Sequence, residues 1–148
     1  MNPNPRIDSA LHVLKGAVQK VLDAPLTTSV YAEGNRGRLT VGYEGKVTEE
    51  QMSEIETLAN KKIEENVPIE MIEVWRGEAE KTYESIIYDK FPVPVNIQNL
   101  TITIIRNWNI NCCLGPHVKT TGEIGRIKIL KHRARAARNE LEISFEVI

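Results

Sequence analysis

The sequence has no long apolar run, few aromatic residues and only two cysteines. No segment approaches the roughly 18 consecutive apolar residues that span a bilayer, and the start, Met1-Asn2-Pro3-Asn4-Pro5, lacks the basic and apolar regions of a signal peptide. The 148 residues are 41% hydrophobic and 26% charged, which is typical of ordinary globular proteins. We therefore expect a single domain over residues 1–148, located in the cytoplasm, with no membrane partner.

The two cysteines, Cys112 and Cys113, are adjacent, and neighbouring residues rarely reach the geometry of an unstrained disulfide. Reduced thiols are therefore expected, which agrees with a cytoplasmic location and leaves metal binding open. We assign metal binding to Cys113 and packing to Cys112, although the two roles could be exchanged. The net charge of -1 excludes a uniformly basic nucleic-acid coat but allows a local basic surface.

Hydrophobic periodicity predicts two main helices and several strands. Apolar residues recur at helical spacing from Ser9 to Leu22, and a capping box at 48–51 opens a second helix that fades near Asn66. Strand patterns occur in a hairpin around 34–37 and near 69–74, 100–104, 125–131 and 141–147. Because no regular βαβ rhythm is present, we expect an α+β fold with a mostly antiparallel sheet packed with the two helices.

Two pairs of potential metal ligands are spaced four residues apart. Asp8 and His12 share one face of the first helix, whereas Cys113 and His117 flank a Gly-Pro turn and are expected on a tight loop. One thiolate, two imidazoles and one carboxylate are acceptable to zinc. The spacing alone also fits an ordinary helix histidine at position 12 and an N-cap aspartate at position 8. Gly16, on the same helix face, would leave room for a substrate beside the metal.

Three segments together carry a more specific signal. They are the helix Ser-Ala-Leu-His-Val-Leu-Lys-Gly-Ala (Ser9–Ala17), the Cys-x-x-x-His loop, and Lys-Thr-Thr-Gly-Glu-Ile-Gly (Lys119–Gly125) directly behind it. These motifs resemble the editing domain of alanyl-tRNA synthetase. From about Ile7 to the C-terminus, the chain resembles most closely the short, free-standing AlaX-type editing proteins, and the resemblance implies the editing-domain fold of alanyl- and threonyl-tRNA synthetases.

This resemblance implies a metal-dependent aminoacyl-tRNA deacylase that removes serine, or glycine, from wrongly charged tRNA(Ala). It assigns zinc to His12, Cys113 and His117, with Asp8 standing where the family usually has a histidine. Asp8 is then either a shorter, negatively charged ligand or a helix cap. No side chain stands out as a general base, so a metal-bound water or a ribose hydroxyl is expected to serve.

The substrate contacts are also predicted in part by the resemblance. Thr27 matches a threonine associated with telling serine and glycine from alanine, with Thr28 as its competitor and an ordinary strand-entry role as the alternative. The two glycines of 120–125 could let backbone amides approach a ligand, or could simply make the turn into the next strand. The other predicted substrate-binding residues are Gly16, Thr121, Gly122 and Glu123.

Basic residues concentrate near the C-terminus. They could follow an RNA backbone, or they could pair with Glu142 and Glu146 of the last strand. The candidate nucleic-acid contacts are Arg126, Lys128, Lys131, Arg133 and Arg135.

Two alternatives to an active deacylase remain open at this point. The chain could be a catalytically inactive tRNA-binding module, with Asp8 marking a degraded site, and would then bind tRNA without turnover. Alternatively, the zinc could be purely structural and tie the first helix to the Cys113 loop, so that metal removal would unfold the protein.

Overall fold

The structure, a computed structural model, describes residues 4–148, so the expectation drawn from the first three residues lies outside it. The helices are α1 (Pro5–Leu22), α2 (Glu49–Glu65) and α3 (Arg76–Tyr83). The strands are β1 (Thr27–Glu33), β2 (Arg36–Gly42), β3 (Glu70–Trp75), β4 (Asn99–Ile105), β5 (Asn109–Cys112), β6 (Ile127–Arg135) and β7 (Glu140–Val147). None of the described helices is long and apolar enough to cross a membrane.

The strands form two sheets, in the orders β1-β2-β7-β6 and β3-β4-β5. Neighbouring strands within both sheets are antiparallel. The predicted α+β class and antiparallel pairing are therefore confirmed, but the strands divide between two sheets instead of forming one.

The first helix begins at Pro5 rather than at Ser9. The side chain of Asn4 accepts hydrogen bonds from the backbone amides of Arg6 and Ile7, and proline is well tolerated in the first turn. Asn4 is therefore the N-cap, and the alternative that made Asp8 the cap is wrong. Asp8 instead lies inside the first turns, where its own amide is bonded to the carbonyl of Asn4 at 3.0 Å.

Helix α1 is buried on most of its circumference because it lies between the two sheets. It contacts β2 and β7 on one side and β5 on the other. The main core lies between α1, α2 and the four-stranded sheet. Its largest fully buried side chains include Ile7, Leu14, Leu39, Ile55 and Phe145. This position lets α1 present polar residues to β5 while its apolar residues fill the core.

The hairpin of β1 and β2 has a shorter loop than the four residues predicted. Only Gly34 and Asn35 lie between the strands, and Gly34 has a φ of +59°, which favours glycine. Gly37 belongs to β2, where a Cβ would lie 2.5 Å from the Phe145 ring. Glycine is needed there because the ring packs directly on the strand, not because the chain turns.

A smaller cluster holds the second sheet. Ala79 of α3 and Ile87 pack with Leu100 and Ile102 of β4. The guanidinium of Arg76 donates to the carbonyls of the 93–97 connector at 2.7–3.0 Å. This contact holds the connector over the strands that lead to Cys113.

Candidate metal centre

Three of the predicted ligands come together where α1 meets the loop after β5. The ligand atoms of His12, Cys113 and His117 all lie within 4.8 Å of one another. Cys113 Sγ is 3.5 Å from His117 Nε2, which matches the roughly 3.3–3.8 Å between two ligands of a tetrahedral zinc. The Cys113–His117 distance therefore fits two ligands of one metal ion, and His12 completes a group of three that could hold a metal.

His12 is only 3% exposed. Its Nδ1 lies 3.0 Å from Asn109 Oδ1 on β5, an acceptor that favours the tautomer with the proton on Nδ1. Burial, with the charge of Lys15 and of His117, lowers the pKa of His12 to about 3 against the opposing Asn109 hydrogen bond. The imidazole is therefore neutral, with Nε2 unprotonated and available to a metal.

The loop from Cys113 to His117 is held by backbone contacts to β4. The Cys113 amide donates to the Thr101 carbonyl at 3.0 Å, and the Thr103 hydroxyl donates to the Cys113 carbonyl at 3.1 Å. Gly115 has a φ of +85°, in the left-handed region. A glycine at this position lets the chain reverse within the loop, so that Cys113 and His117 face each other.

The two loop ligands have shifted pKa values for the same main reason. Burial raises the pKa of the Cys113 thiol, opposed by a hydrogen bond from the Gly115 backbone. Burial, and then the charge of Lys15, lower the pKa of His117. Without metal the thiol is therefore protonated while both imidazoles are neutral, and a cation must displace the thiol proton to bind.

Asp8 lies one helical turn before His12, outside the group of three. Its side chain is half-buried, and burial raises its pKa. Its charge acts on Cys113, where it raises the pKa of the thiol. No ion pair includes this carboxylate in the part of the chain that the structure describes. Metal ligation by Asp8 stays a prediction.

Sequence reasoning missed a polar network beside the ligands. Lys15 Nζ lies 3.1 Å from Asn111 Oδ1 and 3.6 Å from Asp89 Oδ2. Asn111 in turn donates to Asp89 Oδ1 at 3.1 Å. The available signal was helical spacing, since Lys15 follows His12 by three residues and shares its face. The contact with Asp89 had no such signal because it depends on packing.

The chain is similar in sequence to alanine–tRNA ligases over most of its length. A family model described as the second additional domain of threonyl and alanyl tRNA synthetases matches residues 98–140, which contain Cys113 and His117. Alanine–tRNA ligases of Methanococcus aeolicus and Methanopyrus kandleri are 35% and 32% identical to the chain over 127 and 126 residues. The ligase of Thermococcus kodakarensis is 34% identical over 131 residues. The chain is an alanyl-tRNA synthetase-related domain.

The relationship confirms the resemblance to the editing domain of alanyl-tRNA synthetase that the motifs indicated. The three matches cover 84–85% of this chain but only 14% of each ligase. The chain thus spans about 14% of the length of these relatives, and the activity of a whole ligase is not assigned to it.

In this synthetase-related domain, the expected space at Gly16 is filled. A Cβ on Gly16 would lie 2.3 Å from Trp108 Nε1, and that nitrogen donates to the Val13 carbonyl at 2.8 Å. The space directly beside the Gly16 Cα is therefore occupied by the indole, and substrate binding at Gly16 stays a prediction. Gly16 is required by the close approach of the indole, which fixes α1 against the turn before β5.

The segment 121–123 is bonded to the end of α2. The Thr121 hydroxyl donates to the Lys62 carbonyl at 2.8 Å, and the Gly122 amide donates to Asn66 Oδ1 at 3.0 Å. The Glu123 carboxylate accepts from the Lys119 and Thr120 amides, at 2.9 Å each. The Gly122 amide is thus occupied, and the turn-forming alternative accounts for these contacts. Substrate binding by Thr121, Gly122 and Glu123 stays a prediction.

Thr27 and Thr28 face different environments at the start of β1. Thr27 is 3% exposed, and its carbonyl accepts from the Lys90 amide at 2.9 Å, next to Asp89 of the polar network. The Thr28 hydroxyl instead donates to the Thr40 carbonyl at 3.4 Å. These contacts do not decide between the two threonines, and the substrate role of Thr27 stays a prediction.

The basic cluster lies along β6, opposite the acidic face of β7. Lys128 is the register partner of Glu146, and Arg133 that of Glu142. Arg135 Nε lies 3.1 Å from Glu142 Oε1, an ion pair without hydrogen-bond alignment. The cross-strand pairing anticipated as an alternative is therefore present, and RNA contact by Arg126, Lys128, Lys131, Arg133 and Arg135 stays a prediction.

Replacing Asn109 by alanine is expected to lower zinc affinity by about 10- to 100-fold, the usual effect of losing a partner that orients a histidine ligand. The reason is that the His12 ring loses the acceptor that selects its tautomer. Competition with a chromogenic chelator measures the affinity. Asn96→Ala, an exposed asparagine of the connector before β4, serves as the control. Equal affinities for the two variants would contradict the role given to Asn109.

Proposed function

We propose that this domain is a metal-dependent deacylase that acts in trans on tRNA(Ala) wrongly charged with serine or glycine. The observation that carries the proposal is the convergence of His12, Cys113 and His117 in a domain related to alanine–tRNA ligases. A cytoplasmic location, where charged tRNA is used, agrees with this activity.

His12, Cys113 and His117 would hold the metal, and the donor set suits zinc. When bound, zinc supplies Lewis-acid chemistry at the ester carbonyl and makes water more acidic. We propose Asp8 as the fourth protein ligand, because its half-buried carboxylate lies one turn before His12 and has no cation partner among the described residues. A cation beside it would offset the desolvation that now raises its pKa.

Lys15 would act on the charge that develops during hydrolysis. Attack on the ester carbonyl places negative charge on its oxygen, and a positive group fixed beforehand stabilises that charge. Asn111 and Asp89 hold the Lys15 ammonium, and its charge reaches both histidines, since it lowers the pKa of each. We assign no general base.

Thr27 would favour serine over alanine. A hydroxyl that pairs with the serine side chain gives no such interaction to an alanyl group, so serine is bound better than the correct alanine. The correct product, Ala-tRNA(Ala), would then be spared.

The test measures hydrolysis of Ser-tRNA(Ala), Gly-tRNA(Ala) and Ala-tRNA(Ala) by the purified chain. Metal is removed with a chelator and then restored as zinc, and circular dichroism monitors the fold at each step. Hydrolysis of the seryl ester, its loss without metal and its recovery with zinc are expected, together with little hydrolysis of the alanyl ester.

Three other results would contradict the proposal in different ways. Unchanged hydrolysis without metal would exclude the metal-dependent mechanism. tRNA binding without turnover, and well below one metal ion per chain, would favour the inactive binding module. Unfolding on metal removal, without turnover in the metal-loaded protein, would favour a structural zinc.

A further inference from the structure

The outer face of the four-stranded sheet is a charged surface organised in rows. Along β7, the odd-numbered residues from Leu141 to Val147 are buried against the helices, and the even-numbered residues point away from the core. Antiparallel register aligns each outward residue with one residue of each neighbouring strand. The net charge of each row can therefore be read from the register.

The row through Ser144 differs in charge from the rows on either side. It runs across all four strands as Tyr31, Arg38, Ser144 and Lys131. One neighbouring row holds Glu33, Arg36, Glu146 and Lys128. The other neighbouring row holds Ser29, Thr40, Glu142 and Arg133. Both neighbours are balanced, whereas the Ser144 row carries two positive charges and no carboxylate.

The two cations of this row are exposed and have no ion-pair partner within residues 4–148. Arg38 lies over the Tyr31 ring, 5.4 Å from its centroid, which limits the freedom of the guanidinium without neutralising it. Ser144 separates Arg38 and Lys131, so their backbones are two strand spacings, or about 10 Å, apart. Two cavities on this face both include Arg38, Ser144 and Lys131 in their walls.

We propose that Arg38, Ser144 and Lys131 form a binding site for a backbone phosphate of RNA. Guanidinium and ammonium groups bind phosphate through charge-assisted hydrogen bonds, and a serine hydroxyl between them adds a neutral donor. The identity of the phosphate as RNA rests on the proposed function. The site lies on the sheet face opposite α1, which carries His12, so it would contact the body of the RNA and not the acylated end.

The adjacent row offers a matched control. The test variant is Arg38→Gln/Lys131→Gln, and the control is Arg36→Gln/Lys128→Gln. Each removes one arginine from β2 and one lysine from β6 and changes the net charge by the same amount. The test and control variants differ in the charge around the substituted residues. Glu33 and Glu146 share the row of Arg36 and Lys128, whereas the row of Arg38 and Lys131 has no carboxylate.

The experiment measures binding of unacylated tRNA(Ala) to the full chain by fluorescence anisotropy, at salt concentrations from about 50 to 200 mM. The test variant is expected to weaken binding by at least about 10-fold and to reduce the slope of log affinity against log salt by about 1 to 2. The control is expected to change affinity by less than about 3-fold, because Glu33 and Glu146 leave its row without net charge, although neither Arg36 nor Lys128 forms an ion pair among the described residues. In this proposal Lys128, one of the RNA contacts predicted from the sequence, is not part of the phosphate site. Circular dichroism of both variants checks that they fold.

Equal losses in the two variants would overturn the site, because net charge alone would then explain binding. Failure of the unmodified chain to bind tRNA would overturn it as well. The outcome is separable from that of the proposed function. Loss confined to the test variant without any ester hydrolysis would leave the phosphate site and reject the deacylase, whereas zinc-dependent hydrolysis with equal losses would do the reverse.

Discussion

Replacing His12 by glutamine is expected to lower the rate of Ser-tRNA(Ala) hydrolysis by at least about 100-fold and to abolish tight zinc binding. The amide is close to imidazole in size but is a poor zinc ligand, so the change removes a donor while filling much of the same volume. Single-turnover hydrolysis measures the rate, and metal analysis of the purified variant measures zinc per chain.

The chain offers a matched control for this substitution and another for loss of the Cys113 ligand. His132→Gln changes a histidine on β6, where Nε2 lies 3.7 Å from Glu49, and is expected to leave zinc content and rate unchanged. Cys112→Ala changes the cysteine that packs in the smaller cluster, whereas Cys113→Ala removes a ligand. If Cys113→Ala kept full zinc content while Cys112→Ala lost it, the assignment of the two cysteines would be reversed.

The metal-free domain is expected to lose stability in acid because of His12. Its folded-state pKa is about 3 and its ordinary value 6.5, so the neutral form is favoured in the folded state. The contribution of the neutral, buried imidazole to the free energy of unfolding is fully present above pH 6.5 and is lost as the pH falls toward 3. Near pH 4.5, about two units below the unfolded pKa, the loss is on the order of 3 kcal/mol.

Urea unfolding in the presence of chelator, at about pH 7 and about pH 4.5, measures this loss. His12→Gln is expected to lower the free energy of unfolding at neutral pH but to show a smaller further decrease in acid than the unmodified chain. His132→Gln, again the control, is expected to keep the full decrease. An acid decrease of the same size in His12→Gln and the unmodified chain would show that another group causes it.

Much of the fold followed from local patterns. The capping box of α2 is present at Thr48 and Gln51, and the strict alternation of β7 separates buried from outward residues as predicted. These features depend on hydrogen bonds and side-chain directions within one element, so sequence spacing determines them. The start of α1 was misplaced because Asn4 and Pro5, not the apolar pattern, set it.

The candidate site was predictable only in part. The spacing of Cys113 and His117 placed two donors on one loop, and the resemblance added His12. Neither signal could pair His12 with Asn109 or Lys15 with Asp89. The first two residues are 97 positions apart in the chain and the second two are 74 apart. Likewise, the reason for a glycine at position 16 is its contact with the indole of Trp108, the residue just before β5. This contact is made only in the folded chain.

The sequence by itself determined the type of each main element, the α+β class, the family and the donor atoms that a metal would need. The adjacency of Cys112 and Cys113 also indicated reduced thiols rather than a disulfide. Only the tertiary structure decided that α1 lies between two sheets, which tautomer His12 adopts, and which basic residues have acidic neighbours. The physical reason is that burial, pKa and cross-strand charge balance depend on contacts between distant segments, and these contacts exist only after the chain has packed.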